Sequence, residues 1–444
     1  MTARRIEPRT LKGFRDYLPD AAARREALMD RAKGVFRSFG FAPIDTPALE
    51  YAEILLGKGS DETDKQTYRF ADAGGRDVAL RFDLTVPFAR FAAQHLNEIG
   101  TPFKRYHLGT VWRGENTQRG RYREFMQCDF DIIGTDHLFA DVEIALVINQ
   151  LFETLGVSRF KIHLNNRKVL TGLLETQGLA AQATAVLRAL DKLAKVGEAA
   201  VITEMIQAAG ASEAQARAVV SLASLHGSND EVLAQLGTLV SGSAVGIAGV
   251  NELTQIVNLC EKSGVPPQRI QLDLAVARGL DYYTGTVFET LLDDLPGIGS
   301  CCSGGRYDNL ASLYTSQTLP GVGASLGLDR LLAAFEELKV NSSGAWSNTV
   351  FVPLFDAARY DDYLQIANML RAQGLSVELY PEDKKLGVQL KYADRRGHRL
   401  AVIIGPSEWE SKHAQVKDLH AKTALQVAFD QLPAECSRLL AQAR

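Results

Sequence analysis

The stretch that decides the fold is Phe103–Gly134, FKRYHLGTVWRGENTQRGRYREFMQCDFDIIG. Two long runs of strand-forming residues flank the polar loop Gly114–Gly120, and this spacing predicts a β-hairpin. Side chains along a strand alternate faces with period two. In the second run Tyr122, Met126, Cys128, Phe130 and Ile132 share an apolar face, while Arg121, Arg123, Phe125, Gln127, Asp129 and Asp131 share the other. Arg113, near the end of the first run, joins that polar face across the hairpin. Guanidinium, amide and carboxylate groups in register are poor material for a core. They suit a pocket for a ligand with both an anionic and a cationic or polar part. A solvated sheet face with cross-strand Arg–Asp pairs is the other reading.

Outward from the hairpin, Ile270–Ala277, Gly285–Leu292 and Gly321–Gly327 read as further strands, mostly without crossover helices between them. That predicts an antiparallel sheet in an α+β domain. Arg24–Phe39 reads as an amphipathic helix ended by Gly40. Between Phe160 and Tyr282 there is no Phe, Tyr or Trp, and Gln182–Gly210 and Ala214–Leu225 carry Ala and Leu at helical spacing. An all-helical insertion with a core of small aliphatic side chains is expected. Asn341-Ser342-Ser343-Gly344 reads as a linker. Beyond it, strand and helix patterns alternate through Thr349–Leu354, Tyr360–Gln373, Ser376–Tyr380, Leu386–Gly397 and Leu400–Ile404, predicting an α/β domain with a partly parallel sheet. The expected boundaries are 1–160 and 269–338 for the two parts of the sheet domain, 161–268 for the insertion, 339–348 for the linker and 349–444 for the C-terminal domain.

The 444 residues are 46% hydrophobic and 23% charged, which excludes collagenous, disordered and disulfide-scaffold chains. No run of about 18 uncharged apolar residues occurs, so no membrane span is expected. Met1–Pro19 is polar and basic and lacks the apolar centre of a secretory signal. The five cysteines are odd in number, and neither they nor the eight histidines fall at metal-ligand spacing. Free thiols, a cytoplasmic location and no structural metal are therefore expected. The net charge is −4, but residues 101–125 sum to +4 and 384–399 to +5, leaving −13 elsewhere. The mildly acidic total therefore does not exclude a nucleic-acid partner.

Three more segments carry candidate chemistry. Asp83 and Thr85, in Arg81–Pro87, either cap the helical pattern that follows or present a carboxylate and a hydroxyl to a substrate amine. Arg278 ends an apolar strand just before Tyr282 and Tyr283. An Arg aimed by a strand matches phosphate oxygens; an exposed Arg in a hairpin is the alternative. The glycine runs Ser303–Asp308 and Gly321–Arg330 are neither a P-loop nor a dinucleotide fingerprint. They fit a flat adenine-binding surface with Arg330 reaching phosphate, or tight strand–helix packing. No GxSxG elbow or Cys–His arrangement points to a protein nucleophile.

Together these segments resemble the histidyl-tRNA synthetase family of class II aminoacyl-tRNA synthetases. Gly13–Pro19 and Pro43–Glu50 are similar to its N-terminal signature and dimer-forming first motif. Trp112–Glu115 with Arg121–Phe125 resembles the second class motif, and Gly327–Leu331 the third. Arg278–Gly285 resembles a histidine-specific signature, with Ser303–Tyr307 its companion.

The resemblance implies a class II catalytic sheet with a helical insertion and a C-terminal anticodon-binding domain. It implies activation of histidine by ATP, with Mg2+ carried by the nucleotide, and transfer to histidine tRNA by a homodimer. It places Asp83, Thr85 and Gln127 on the α-amino group, Asp131 and Tyr283 on the imidazole, and Tyr282 among the histidine-binding residues. It assigns Arg113, Glu115, Arg121, Phe125 and Arg330 to ATP, and Arg113 and Arg278 to the reacting phosphate. Gln118, Arg119, Arg123, Lys391, Arg395 and Arg396 would face tRNA. The rivals are a catalytically silent paralogue that regulates ATP phosphoribosyltransferase or senses uncharged tRNA, and a ligase for a free small molecule.

Overall fold

The computed structural model describes residues 6–57, 61–190, 192–223, 225–276, 282–340 and 347–442. They form two compact units, Met1–Asp16 with Ala27–Val340, and Tyr17–Glu26 with Asn341–Arg444.

The strands of the first unit are β1 (Ala42–Pro43), β2 (Leu49–Tyr51), β3 (Arg69–Ala71), β4 (Asp77–Leu80), β5 (Phe103–Trp112) and β6 (Glu124–Ile133). After these come β7 (Phe160–Asn166), β8 (Ile270–Leu272), β9 (Thr286–Leu292), β10 (Cys302–Arg306) and β11 (Gly321–Gly327). Eight of them make one sheet in the order β1-β5-β6-β11-β10-β9-β7-β8. It is antiparallel except at its margins, where β1 runs parallel to β5 and β7 to β8. The hairpin expected at Phe103–Gly134 supplies its second and third strands, in register from Phe103 opposite Ile133 to Trp112 opposite Glu124. Cys128, Phe130 and Ile132 do form a core face, buried with Phe36 of helix Pro19–Ser38, Ile144 of Phe139–Thr154 and Leu331 of Leu328–Glu337. Each such side chain contributes about 1.5–3 kcal/mol on leaving water, so this face alone commits the sheet to one orientation. The opposite face is left to the polar residues.

Two segments differ from the expectation. Lys161–Asn166, placed with the helical insertion, belong to β7 in the sheet, because Phe160, Ile162 and Leu164 are buried at a period of two. The strand read over Ile270–Ala277 stops at Leu272. There the Asp273 carboxylate accepts from the Ala275 amide at 3.0 Å, a local bond that competes with the ladder.

The aromatic-free segment is helical from Arg167–Thr176 to Ala244–Lys262. Its buried residues include Val186, Ala189, Val201, Met205 and Val219. Small residues let these two terminal helices touch. A Cβ on Gly172 would lie 2.3 Å from the Gly246 Cα, so the crossing requires glycine.

In the second unit, β12 (Thr349–Val352), β13 (Ser376–Leu379), β14 (Leu400–Ile403), β15 (His413–Asp418) and β16 (Thr423–Ala428) form a sheet ordered β13-β12-β14-β15-β16. The first three neighbours are parallel and the last pairs antiparallel. Helices Tyr360–Ala372 and Leu386–Arg396 make the crossovers, as the alternation predicts. Among the described residues no helix is long and apolar enough to cross a membrane.

Candidate active site

The polar face of the sheet is organised in rows across the strands. One row reads Arg105, Asp131, Gly323, Gly305 and Val287 on β5, β6, β11, β10 and β9. Its neighbour reads His107, Asp129, Ser325, Ser303, Glu289 and His163. Above them lies a cleft of about 700 Å³ whose lining includes Asp83, Thr85, Arg113, Gln127, Asp129, Asp131, Tyr282, Tyr283 and Arg330. These sequence-derived candidates, from segments as far apart as Asp83 and Arg330, thus meet around one space. The face is not a solvated one: Asp129 and Asp131 are 1% and 2% exposed.

Two buried carboxylates side by side need a counter-charge. It comes from Arg105, which is fully buried (0% exposed) and lies 2.8 Å from Asp131 and 3.7 Å from Asp129. Arg105 also donates to the Leu84 carbonyl at 3.3 Å and covers the Phe88 ring at 4.4 Å. The hydroxyl of Tyr307 donates to the other oxygen of Asp131 at 2.6 Å. Burial pushes both carboxyls above their ordinary range, Arg105 opposes the shift, and the Asp131 charge raises Asp129 further. His107, opposite Asp129, is held neutral: burial, Arg105 and Arg81 lower it to about 3. Sequence reasoning missed Arg105 and Tyr307. Four two-residue steps back from Arg113 reach Arg105; nothing near Tyr307 in the chain marks its partner 176 residues away.

Glycine makes the site shallow enough to hold these groups. A Cβ on Gly323 would lie 2.1 Å from the Asp131 carboxylate, and one on Gly305 2.9 Å from the Tyr283 ring. Asp83 caps the helix that follows it and also lines the cleft. One oxygen accepts from the Thr85 and Val86 amides at 3.1 and 3.0 Å, capping helix Thr85–Gln94, and the same carboxyl lines the cleft. Burial raises it above the ordinary carboxylate range. Burial likewise raises the Tyr282 and Tyr283 phenols, so both stay protonated donors. The Gln127 amide nitrogen donates to Ser325 at 3.0 Å.

Arg113, Glu115, Arg121, Phe125 and Arg330 line a second, adjoining pocket. Arg113 donates from Nε to the Phe82 carbonyl at 3.1 Å and is flanked by the Phe82 and Phe125 rings at 4.3 and 5.1 Å. Arg330 is tied to the Ser300 carbonyl. Burial disfavours the charge on both, and neighbouring Arg121 adds to it for Arg330. Desolvated guanidinium groups converging on one space make a receptor for a polyanion.

Of the proposed tRNA residues, Gln118 and Arg119 are exposed on the hairpin loop, with Arg119 3.0 Å from Glu337. Arg123 is half-buried and donates to the Glu115 carbonyl at 3.2 Å. In the second unit Lys391, Arg395 and Arg396 are exposed on helix Leu386–Arg396. Arg278 lies outside the described residues; Val276 and Tyr282, on either side of that gap, both line the cleft.

Comparison with known proteins agrees with this layout. The histidyl-tRNA synthetase family profile matches residues 13–331 and an anticodon binding domain profile matches 349–439. A curated histidine–tRNA ligase of Rhodopirellula baltica is 58% identical over 96% of each chain. One of Wolinella succinogenes is 45% identical over 93% of this chain and 94% of its own. The crystal structure of histidyl-tRNA synthetase from Nostoc sp. PCC 7120, 35% identical, matches 98% of this chain and all of that one with a TM-score of 0.88. With a family profile spanning most of its length and relatives this similar end to end, the chain belongs to the histidyl-tRNA synthetase family.

Proposed function

We propose how this aminoacyl-tRNA synthetase divides the work of its reaction among its own residues. Asp83, Thr85 and Gln127 take the α-ammonium of histidine, and Asp131 with Tyr283 takes the two ring nitrogens, Tyr282 closing the pocket. Because both ring nitrogens need matched partners, a side chain lacking either leaves a buried polar group unpaired, and that is how the site rejects it. Arg113 holds the α-phosphate of ATP and Arg330 the γ-phosphate, with Glu115, Arg121 and Phe125 around the nucleotide. Arg278 stabilises the phosphorus as the histidine carboxylate attacks it and pyrophosphate leaves. The terminal ribose hydroxyl of tRNA then attacks the adenylate carbonyl. Positioning and charge neutralisation supply the rate; no protein nucleophile is needed.

Mg2+ supplies further neutralisation of the phosphates. Among the described residues no group of three His, Cys, Asp or Glu could cage a metal. The carboxylate of Glu115 on the nucleotide pocket fits an ion that keeps phosphate and water ligands.

The observation that carries this reading is the Arg105–Asp131–Gly323 row at one end of a cleft whose other end holds Arg113 and Arg330. The test is pyrophosphate exchange into ATP that depends on histidine, followed by transfer of labelled histidine to tRNA. Exchange without transfer would favour a small-molecule ligase, and neither would favour a silent paralogue. The near full-length likeness to curated ligases weighs against the paralogue.

For tRNA, the exposed cations of helix Leu386–Arg396 supply a phosphate contact. Arg395→Glu should weaken tRNA binding several-fold and lower the salt slope by about one, with exchange unchanged. Equal affinity and slope by filter binding would remove this helix from the interface. The reading also includes a homodimer. The small sheet of β2, β3 and β4 carries exposed Leu49, Tyr51 and Phe70, an apolar surface of the kind a second copy covers. Light scattering should give twice the chain mass, and Tyr51→Asp should shift it toward one.

A further inference from the structure

We infer that Arg15, in the N-terminal segment, is a positioning residue of the nucleotide pocket that cancels the charge of Asp329 and ties strand β6 to helix Leu328–Glu337. The inference rests on the reading of Arg113 and Arg330 as phosphate ligands. Asp329 is 2% exposed, yet it lines the same pocket as those two arginines. An uncompensated carboxylate there would repel a triphosphate, and the low-dielectric surroundings would amplify the repulsion. The structure settles both of its oxygens. One accepts from the Met126 amide of β6 at 2.7 Å, and the other is ion-paired with Arg15 across 314 residues of sequence.

The rest of the N-terminal segment is shaped to deliver that guanidinium. The Arg123 amide donates to the Gly13 carbonyl at 2.9 Å, so the segment is held by the backbone that leads into β6. Gly13 has φ +89°, and a Cβ there would lie 2.7 Å from the Arg123 side chain. Only glycine accepts both that conformation and that approach. Arg15 then lies over the Tyr122 ring, 3.7 Å from its centroid, and Tyr122 is itself a wall of the pocket. An arginine stacked on one wall and paired with a second fixes their spacing, which a lysine cannot do as well.

Steady-state exchange kinetics on the full chain test this. Arg15→Met should raise the KM for ATP about tenfold, the loss that accompanies one charge-assisted bond, with the KM for histidine within about twofold. Arg15→Lys, which keeps the charge without the fork, should fall between. Adding Asp329→Asn to Arg15→Met removes the stranded carboxylate and should bring the KM for ATP back toward its starting value. A merely structural role predicts no such recovery, and would show instead as equal losses for both substrates with a lowered Tm. That pattern, or an unchanged KM for ATP in Arg15→Met, overturns the inference. Arg330→Ala, measured in parallel, separates the two levels. If it too leaves the KM for ATP unchanged, the phosphate reading has failed and the inference falls with it. If it raises the KM while Arg15→Met does not, the inference alone is wrong.

Discussion

Arg113→Ala is expected to lower kcat/KM for histidine-dependent pyrophosphate exchange by about 10²–10³-fold, the usual consequence of removing one preorganised donor from a developing charge. The guanidinium sits between the Phe82 and Phe125 rings with Nε committed to a backbone carbonyl, so it needs no reorganisation when phosphate arrives. Burial already disfavours its charge, so a phosphate bound there would meet a partly desolvated guanidinium. Arg113→Lys should recover only part of the loss, because an ammonium cannot offer two parallel donors. The Tm should move little in both variants. A loss smaller than about tenfold in Arg113→Ala would mean that another group carries the α-phosphate.

Arg105→Met should give the largest stability effect. Removing one partner of a buried ion pair costs about 3–5 kcal/mol, and here the cation serves two carboxylates. The loss depends on pH with a definite sign. Without Arg105, the folded-state pKa values of Asp129 and Asp131 rise further above their unfolded values. The folded state then binds more protons than the unfolded state, so stability falls as pH rises. The variant should therefore be more destabilised at about pH 8 than at about pH 5.5, relative to the parent at each pH. Denaturant titration at both values checks this, and a penalty equal at the two would contradict the charge account. The surviving folded fraction should show a raised KM for histidine, since Asp131 loses the partner that holds it.

How much of this was legible in the sequence depends on the range of the interaction. Alternation along β6 placed Gln127, Asp129 and Asp131 together correctly, because period two is a local property of the chain. The helical insertion was equally plain from its small aliphatic spacing. Arg105 obeys the same rule, standing opposite Asp131 and four two-residue steps before Arg113. Tyr307, and the pairing of Arg15 with Asp329, left no local trace: each depends on strand order and on register set by segments far apart. The choice between cap and ligand for Asp83 was also beyond the sequence. A carboxylate has two oxygens, and one of them serving the helix does not take the group out of the cleft.

The contact of Asp131 with Gly323 has a practical consequence for redesign. The two residues lie on neighbouring strands, and the space above position 323 is occupied by the carboxylate of position 131. Any residue other than glycine at 323 evicts that carboxylate, and any bulkier group at 131 meets bare backbone. A library meant to retool the pocket must therefore keep glycine at 323, because even with the carboxylate gone a Cβ there would lie 2.7 Å from the Phe130 carbonyl. Variation belongs at position 131, where side chains no larger than aspartate leave that close approach intact.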